Sequence, residues 1–315
     1  MPVPDAPEPD LHVDEELARR LVAAQHPDLV APVRRVANGW DNVMFRLGDE
    51  LAVRMPRREL AVQLMLHEQR WLPELAAGLP VPLPAPVRVG RPAPELGYDV
   101  PWSIVPWLPG SAALAFDAAD RDAAAPELAE FVVAFGRAAP GDAPVNPFRG
   151  VPLAARDASV RTRLATGRVA EPDAVSLVWE RSLAASVWAQ PPVWLHGDLH
   201  PGNLLLHAHG GLAAVVDFGD LTSGDPATDL ATAWLTFGPS GREAFRRRID
   251  ELVGAAASAA DLAVGGAAGL DDATWERARG WALVMATAMV DATDAHSPLG
   301  RLGARVIEEI VADAG

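Results

Sequence analysis

Residues 194–203 read WLHGDLHPGN, and residues 215–220 read VVDFGD. Between them, two apolar runs flank the Gly210-Gly211 pair, a pattern that predicts a β-hairpin. If the hairpin is centred on Gly210, Asn203 and Asp217 lie side by side at its open end. Asp198 precedes them in a loop held by Gly197, Pro201 and Gly202. Two carboxylates and a carboxamide are thereby gathered at one place. Hard oxygen donors of this kind suit Mg²⁺, which takes one or two protein ligands and completes its shell with water and phosphate oxygens. A carboxylate the metal does not need can accept a hydroxyl proton or orient that hydroxyl for attack. A different chemistry is also written here. His196, Asp198, His200 and Asp217 have reasonable spacing for a hydrolytic zinc site, but that reading leaves Asn203 and the Asp-Phe-Gly unused.

These residues need a scaffold. Val33–Val36, Val43–Leu47 and Leu51–Met55 are short apolar runs broken by ANGWDN and GDE, which predicts an antiparallel meander. Residues 58–77 carry Leu60, Leu64, Trp71, Leu72 and Leu75 near helical spacing, making them the one helix expected in this third. A proline-rich connector leads to Val87–Gly90. Pro106 and Pro109 then make Ser103–Gly110 an extended hinge. Beyond it, residues 126–137, 173–189, 226–237, 241–257 and 271–293 are amphipathic helix candidates. In the last of these, Trp275, Ala278, Ala282, Met285 and Met289 form a stripe that reads as core. The expectation is an α+β fold of two lobes with a cleft between them. Residues 1–107 would form a small antiparallel lobe and 108–315 a larger, mostly helical one. Residues 1–15, acidic and proline-rich, would be a disordered lead-in.

Asp198, then Asn203 five residues on, then a distant Asp-Phe-Gly is also the layout of kinase catalytic and metal loops. HGDLHPGN, VVDFGD and GDPATDLA resemble the aminoglycoside phosphotransferase family, kinase-like enzymes that include macrolide and tuberactinomycin kinases. GWDNVMFRLGDELAVRMPRR, HEQRWLPELAAGLPVPLPAPV and YDVPWSIVPWLPG resemble its N-lobe in the same order, so the likeness runs from about residue 33 to 238.

The resemblance implies ATP or GTP with Mg²⁺, and a small hydroxyl-bearing acceptor. Asp198 would be the catalytic base or the hydroxyl-orienting group, with Asn203 and Asp217 holding the metal. His196 would brace the loop. Asp225 and Asp229 would tie that loop to a helix, although Asp225 also reads as a cap before Pro226. Arg54 would hold the phosphates and pair with Glu68. Gly39 and Asn42 would cover the phosphates, and backbone near Val105 and Trp107 would meet the base. The resemblance implies an acidic acceptor pocket on the helical lobe. Asp220 fits either that pocket or a cap; Asp291, Asp294 and His296 fit either it or a polar helix end. Two departures stand out. The phosphate-binding basic residue, lysine in most kinases, is arginine, and no GxGxxG is present.

Composition narrows the field. All 27 basic residues are arginine, so a Walker A loop and a lysine Schiff base are excluded. The absence of cysteine excludes disulfides and thiolate metal sites. The net charge of −15 argues against nucleic acid as a partner. From residue 111 onward there are 16 arginines against 27 acids, a balance that favours a cationic acceptor. Together with the resemblance it implies an antibiotic-like molecule such as an aminoglycoside, with a macrolide or a small hydroxylated metabolite as the alternative. No apolar run is long enough to span a membrane, and the N-terminus lacks a signal-peptide pattern, so a cytoplasmic location is expected. A catalytically dead nucleotide-binding module is the remaining rival, motivated by Arg54. The oligomeric state is not legible.

Overall fold

The structure, a computed structural model, describes residues 8–259 and 270–313. An N-terminal helix, α1 (Glu15–Gln25), precedes the strands β1 (Val33–Asn38), β2 (Asn42–Leu47) and β3 (Leu51–Pro56). Helix α2 (Ala61–Leu75) follows, then β4 (Arg88–Gly90) and β5 (Trp102–Pro106). These strands form one antiparallel sheet in the order β1-β2-β3-β5-β4. Val43, Phe45 and Leu47 alternate inward along β2 and meet Val53, Met55, Tyr98, Trp102 and Ile104 in a core of their own. That face also receives Leu17, Leu21 and Val22 of α1, a helix the sequence reading omitted.

The lead-in expectation is corrected for the residues that are described. Asp10 and Leu11 donate their amides to the Arg57 carbonyl at 2.9 and 3.0 Å, and Val13 is buried. Asp14 caps α1 by accepting from Leu17 N at 2.8 Å, with Glu15 and Glu16 favourably placed in the first turn. This start signal was present in the DEE of the sequence. Residues 1–7 lie outside the described residues.

The rest is helical around a second core. Strand β6 (Ser111–Ala112) leads into α3 (Ala118–Arg121), α4 (Ala125–Phe135), α5 (Asp157–Ala165) and α6 (Pro172–Ala184). Next come β7 (Val193–Leu195), β8 (Leu204–Leu206), β9 (Leu212–Val215) and β10 (Thr222–Gly224). The chain closes with α7 (Ala227–Leu230), α8 (Thr232–Thr236), α9 (Pro239–Ala259), α10 (Asp272–Ala292) and α11 (Pro298–Ala312). The single helix expected over 226–237 is two, because the bond from Trp234 N to Ala231 O tightens the chain at the junction. Helix α5 was not foreseen. Helix α10 is buried along most of its length and packs against α11, α6 and α7. The end of α2, through Leu72 and Leu75, joins this second core and so links sheet and helices.

Candidate active site

The segment that carries Asp198 and Asn203 is held by its ends. Strand β7 pairs with β10, and β8 with β6 and β9. The hairpin forms, but its register differs by one from the expected centre. Leu204 faces Val215, and Val216 N donates to Asn203 O at 2.9 Å. Asp217 is therefore one step beyond Asn203's partner, in the left-handed region at φ 63°. That conformation is costly for a residue with a Cβ and is found where a site demands it.

Asp198 lies in the turn after β7. Gly197 enters it at φ 84°, and a Cβ there would overlap the Asp220 carbonyl, so only glycine fits. Asp229 fixes the turn from below: its carboxylate accepts from His196 N at 2.7 Å and Gly197 N at 2.9 Å. His196 is fully buried. Its Nε2 lies 2.9 Å from Val216 O, its Nδ1 is 3.2 Å from Asp198 N, and its ring packs on Phe218 at 4.6 Å between centroids. Asn203 Nδ2 donates to Asp198 O at 2.9 Å and to its Oδ2 at 3.3 Å.

Asp225 both caps and ties. It accepts from Ala227 N at 3.0 Å and makes a two-pronged pair with Arg277 of α10, at 2.7 and 3.1 Å.

Across the cleft, Arg54 on β3 is almost fully buried, pairs with Glu68 of α2, and reaches Asp217 Oδ1 at 3.1 Å. Burial pushes the Glu68 carboxyl up to about 7 against the pull of Arg54, and its Oε1 has no partner among the described residues. Burial opposes the charge on Arg54, but Glu68 and Asp217 more than offset it and raise its affinity for the proton.

Two cavities meet at Asp217. The first, of about 410 Å³, is lined by Gly39, Asn42, Arg54, Val105, Trp107, Asn203 and Asp217 among others. Thus most of the residues assigned to nucleotide and metal converge there, with Glu68 behind Arg54. The Asn42 Oδ1 is buried without a partner among the described residues. Trp107 lines this cavity, and its amide donates to Glu50 O at 2.7 Å, which leaves its carbonyl as the backbone group it can offer a base. Its indole lies under Arg46, 4.1 Å from the guanidinium carbon. Leu108 lines the same cavity one residue further on.

The second cavity, of about 370 Å³, shares Trp40, Asp41, Leu64, Asp217 and Gly219 with the first and adds Asp198 and Asp220. Met285 and Met289, read as core, form part of its wall. Asp291 and Asp294 do not line it. The Asp291 carbonyl accepts from Arg168 at 2.8 Å, and Asp294 Oδ1 accepts from His296 N at 2.7 Å in a local turn.

The sequence reading missed three arginines in this cavity: Arg149, Arg156 and Arg163. Arg149 Nη2 donates to Asp198 Oδ1 at 3.0 Å and lies 3.6 Å from Asp220 Oδ2. Asp220 also accepts from Asn146 Nδ2 at 2.7 Å. Burial raises the Asp220 carboxyl. For Asp198 burial acts in the same direction, but His200 and Arg149 outweigh it and hold the carboxyl well below the usual range. The seven-residue spacing of Arg156 and Arg163, two helical turns, was the signal available for those two, whereas Arg149 lies in the loop before them.

The zinc reading is corrected by this geometry. Both His196 nitrogens face backbone groups, and His200 Nδ1 accepts from Gly202 N at 3.0 Å. Among the described residues, no three His, Asp or Glu side chains are arranged to hold a metal.

A two-layered cleft of this form, sheet on one side and helices on the other with Asp, Asn and Asp at the junction, defines a kinase-like phosphotransferase fold. The chain matches the Phosphotransferase enzyme family (APH) over residues 32–281, and it belongs to that family. No curated protein matches it. Among solved structures it is similar to the GDP complex of wild-type aminoglycoside 2'-phosphotransferase-IIIa, at 18% identity over 96% of this chain and 100% of that one, with a TM-score of 0.65. The GDP and kanamycin complex of APH(2")-IIia gives 18% identity over 94% and 98%, with a TM-score of 0.66. Macrolide 2'-phosphotransferase MphH from Brachybacterium faecium gives 20% over 87% and 90%, with a TM-score of 0.59. At these identities the likeness is one of fold.

Proposed function

We propose that this phosphotransferase moves the γ-phosphoryl of ATP or GTP to a hydroxyl group of a small molecule. One observation carries the reading: the two cavities share a wall at Asp217, with Arg54 and Asn203 facing the first and Asp198 the second. A donor and an acceptor bound on either side would meet there in line.

The donor set fits a nucleotide with Mg²⁺. Asn203 and Asp217 offer two hard oxygens in a cavity that already holds the Arg54 guanidinium. Mg²⁺ held by Asn203 and Asp217 would neutralise charge on the phosphate oxygens. Arg54, oriented by Glu68 and Asp217, supplies a fixed cation to the same group. Backbone of the stretch Val105–Leu108, which lines this cavity, would meet the base.

Asp198 is ionised across the working pH range, and so low a proton affinity makes it a weak base. Its role is to accept the hydrogen bond of the attacking hydroxyl and aim that oxygen, taking the proton late, as a loose transition state allows. Asp229, His196 and Gly197 keep it in place. Among the described residues no helix is long and apolar enough to cross a membrane. A cytoplasmic setting, where Mg²⁺ and nucleoside triphosphates are supplied, suits this chemistry.

The test is Mg²⁺-dependent nucleotide consumption over a panel of cationic, neutral and anionic alcohols, with Asp198→Ala and Arg54→Met as controls. Acceptor-stimulated turnover should fall by roughly a hundredfold or more in each variant. Nucleotide binding with no stimulation by any acceptor would favour the dead module, and absent nucleotide binding would reject the reading.

A further inference from the structure

Resting on the phosphotransferase reading, we propose that the acceptor of this enzyme is an anionic alcohol: a small molecule with a hydroxyl for Asp198 and a carboxylate or phosphate held by Arg156 and Arg163.

The charges on the cavity wall pair off unevenly. Its four carboxylates each have an arginine. Asp41 pairs with Arg58 at 3.0 Å, Asp217 with Arg54 at 3.1 Å, and Asp198 and Asp220 with Arg149 at 3.0 and 3.6 Å. Arg156 and Arg163 are left over. Among the described residues, neither has a carboxylate within ion-pair distance.

Arg156 lies over the Phe148 ring at 5.3 Å, and its Nε is buried with no partner among the described residues. Arg163 donates one N–H to the Val284 carbonyl at 3.1 Å. Both are half-buried, on the continuous helical stretch 153–165, and both face the cavity.

The cost of this arrangement is visible. Burial, and then the neighbouring arginines, makes each of the two cations harder to keep charged: Arg149 acts on Arg156, and Arg156 and Arg149 act on Arg163. Asp291 pulls the other way on Arg163, from beyond pairing distance. An oxyanion between the two guanidiniums would relieve the repulsion and meet their free donors. Beside them on α10, Val284, Met285 and Met289 make that part of the lining apolar. A polycationic acceptor would find two like charges and no unpaired acid there. The acidic balance of the lobe, which pointed to a cationic acceptor, therefore lies outside this wall.

The experiment is thermal unfolding of the full chain with saturating Mg·ADP, so that added anions cannot use the nucleotide cavity. Glycerate, glycerol 3-phosphate, glycerol and kanamycin are then titrated. Wild type should be stabilised by glycerate or glycerol 3-phosphate, whichever carries the fitting anion, and not by glycerol. Arg156→Gln/Arg163→Gln should weaken that binding by roughly tenfold or more, while its response to Mg·ADP reports that it folds. Arg156→Lys/Arg163→Lys should keep part of the affinity. Equal stabilisation of wild type by glycerol, stronger stabilisation by kanamycin, or unchanged anion affinity in the Gln variant would overturn the proposal. If Mg·ADP itself fails to bind, the phosphotransferase reading fails. If ADP binds and the anions do not, only this inference does.

Discussion

The pair between Asp225 and Arg277 fastens the catalytic segment to α10, and its removal gives a sharp test. Both side chains are about 95% buried, at 5% and 4% exposure. Two contacts join them, at 2.7 and 3.1 Å, and Arg277 makes a third bond to Ser186 O at 2.6 Å. Arg277→Met leaves the Asp225 carboxylate buried with only the Ala227 amide for company, a loss of about 3–5 kcal/mol. At roughly 2–4 °C per kcal/mol in a chain of this size, the unfolding midpoint should drop by about 6–20 °C. Asp225→Asn/Arg277→Met removes both charges yet keeps an oxygen for Ala227 N. Replacing a whole buried pair costs far less than breaking one, so the double variant should recover to within about 1–2 kcal/mol of wild type. Thermal and urea unfolding of wild type, both single variants and the double variant supply the cycle. A single-variant loss under about 1 kcal/mol, or a double variant as unstable as Arg277→Met, would refute the view that an uncompensated buried charge sets the cost. Asp225 precedes Asp229, which holds the His196 and Gly197 amides, so turnover in Arg277→Met should fall even below its melting range.

Two further outcomes are expected. Glu68, shifted from 4.5 to about 7, binds its proton more tightly in the folded state. Its contribution to stability is full below pH 4.5 and is lost as pH rises through about 7. In Glu68→Gln that decline should disappear from urea midpoints measured across the same window, and an unchanged slope would show that another group titrates. Gly197→Ala should cost about 1–2 kcal/mol for the left-handed backbone alone. It should also displace the Asp220 carbonyl and reduce kcat by roughly a hundredfold. A variant with wild-type kcat would show that the turn is not what aims Asp198.

Much was legible because some functions here are written locally. The Asp198-to-Asn203 spacing, the Gly-Gly hairpin and the Asp-Phe-Gly each constrain a few consecutive residues, so type and order were enough to infer them. The strand periodicity of 33–56 and the apolar spacing of α2 were equally readable, since alternation and helical repeat are properties of short windows. Helix α1 was readable but passed over: Asp14, Glu15 and Glu16 form an N-terminal signal, and the proline-rich residues before it masked them. The family resemblance added Arg54 and Glu68, which no local pattern joins.

What the sequence by itself determined was the gathering of Asp198, Asn203 and Asp217 in one short segment, and the class of enzyme that carries it. Only the tertiary structure decided which distant residues surround that segment. The pairing of Arg54 with Asp217, of Asp225 with Arg277 and of Arg149 with Asp198 depends on how sheet and helices pack, not on any spacing along the chain. The same holds for the acceptor wall. Net charge counts every acid in the lobe, but a ligand meets only the side chains that packing turns toward it. Arg156 and Arg163 face that space while Asp291 and Asp294 do not, because the cavity follows the face of α10 that carries Met285, Ala288, Met289 and Ala292, and Asp291 lies off that face while Asp294 sits in the turn beyond the helix.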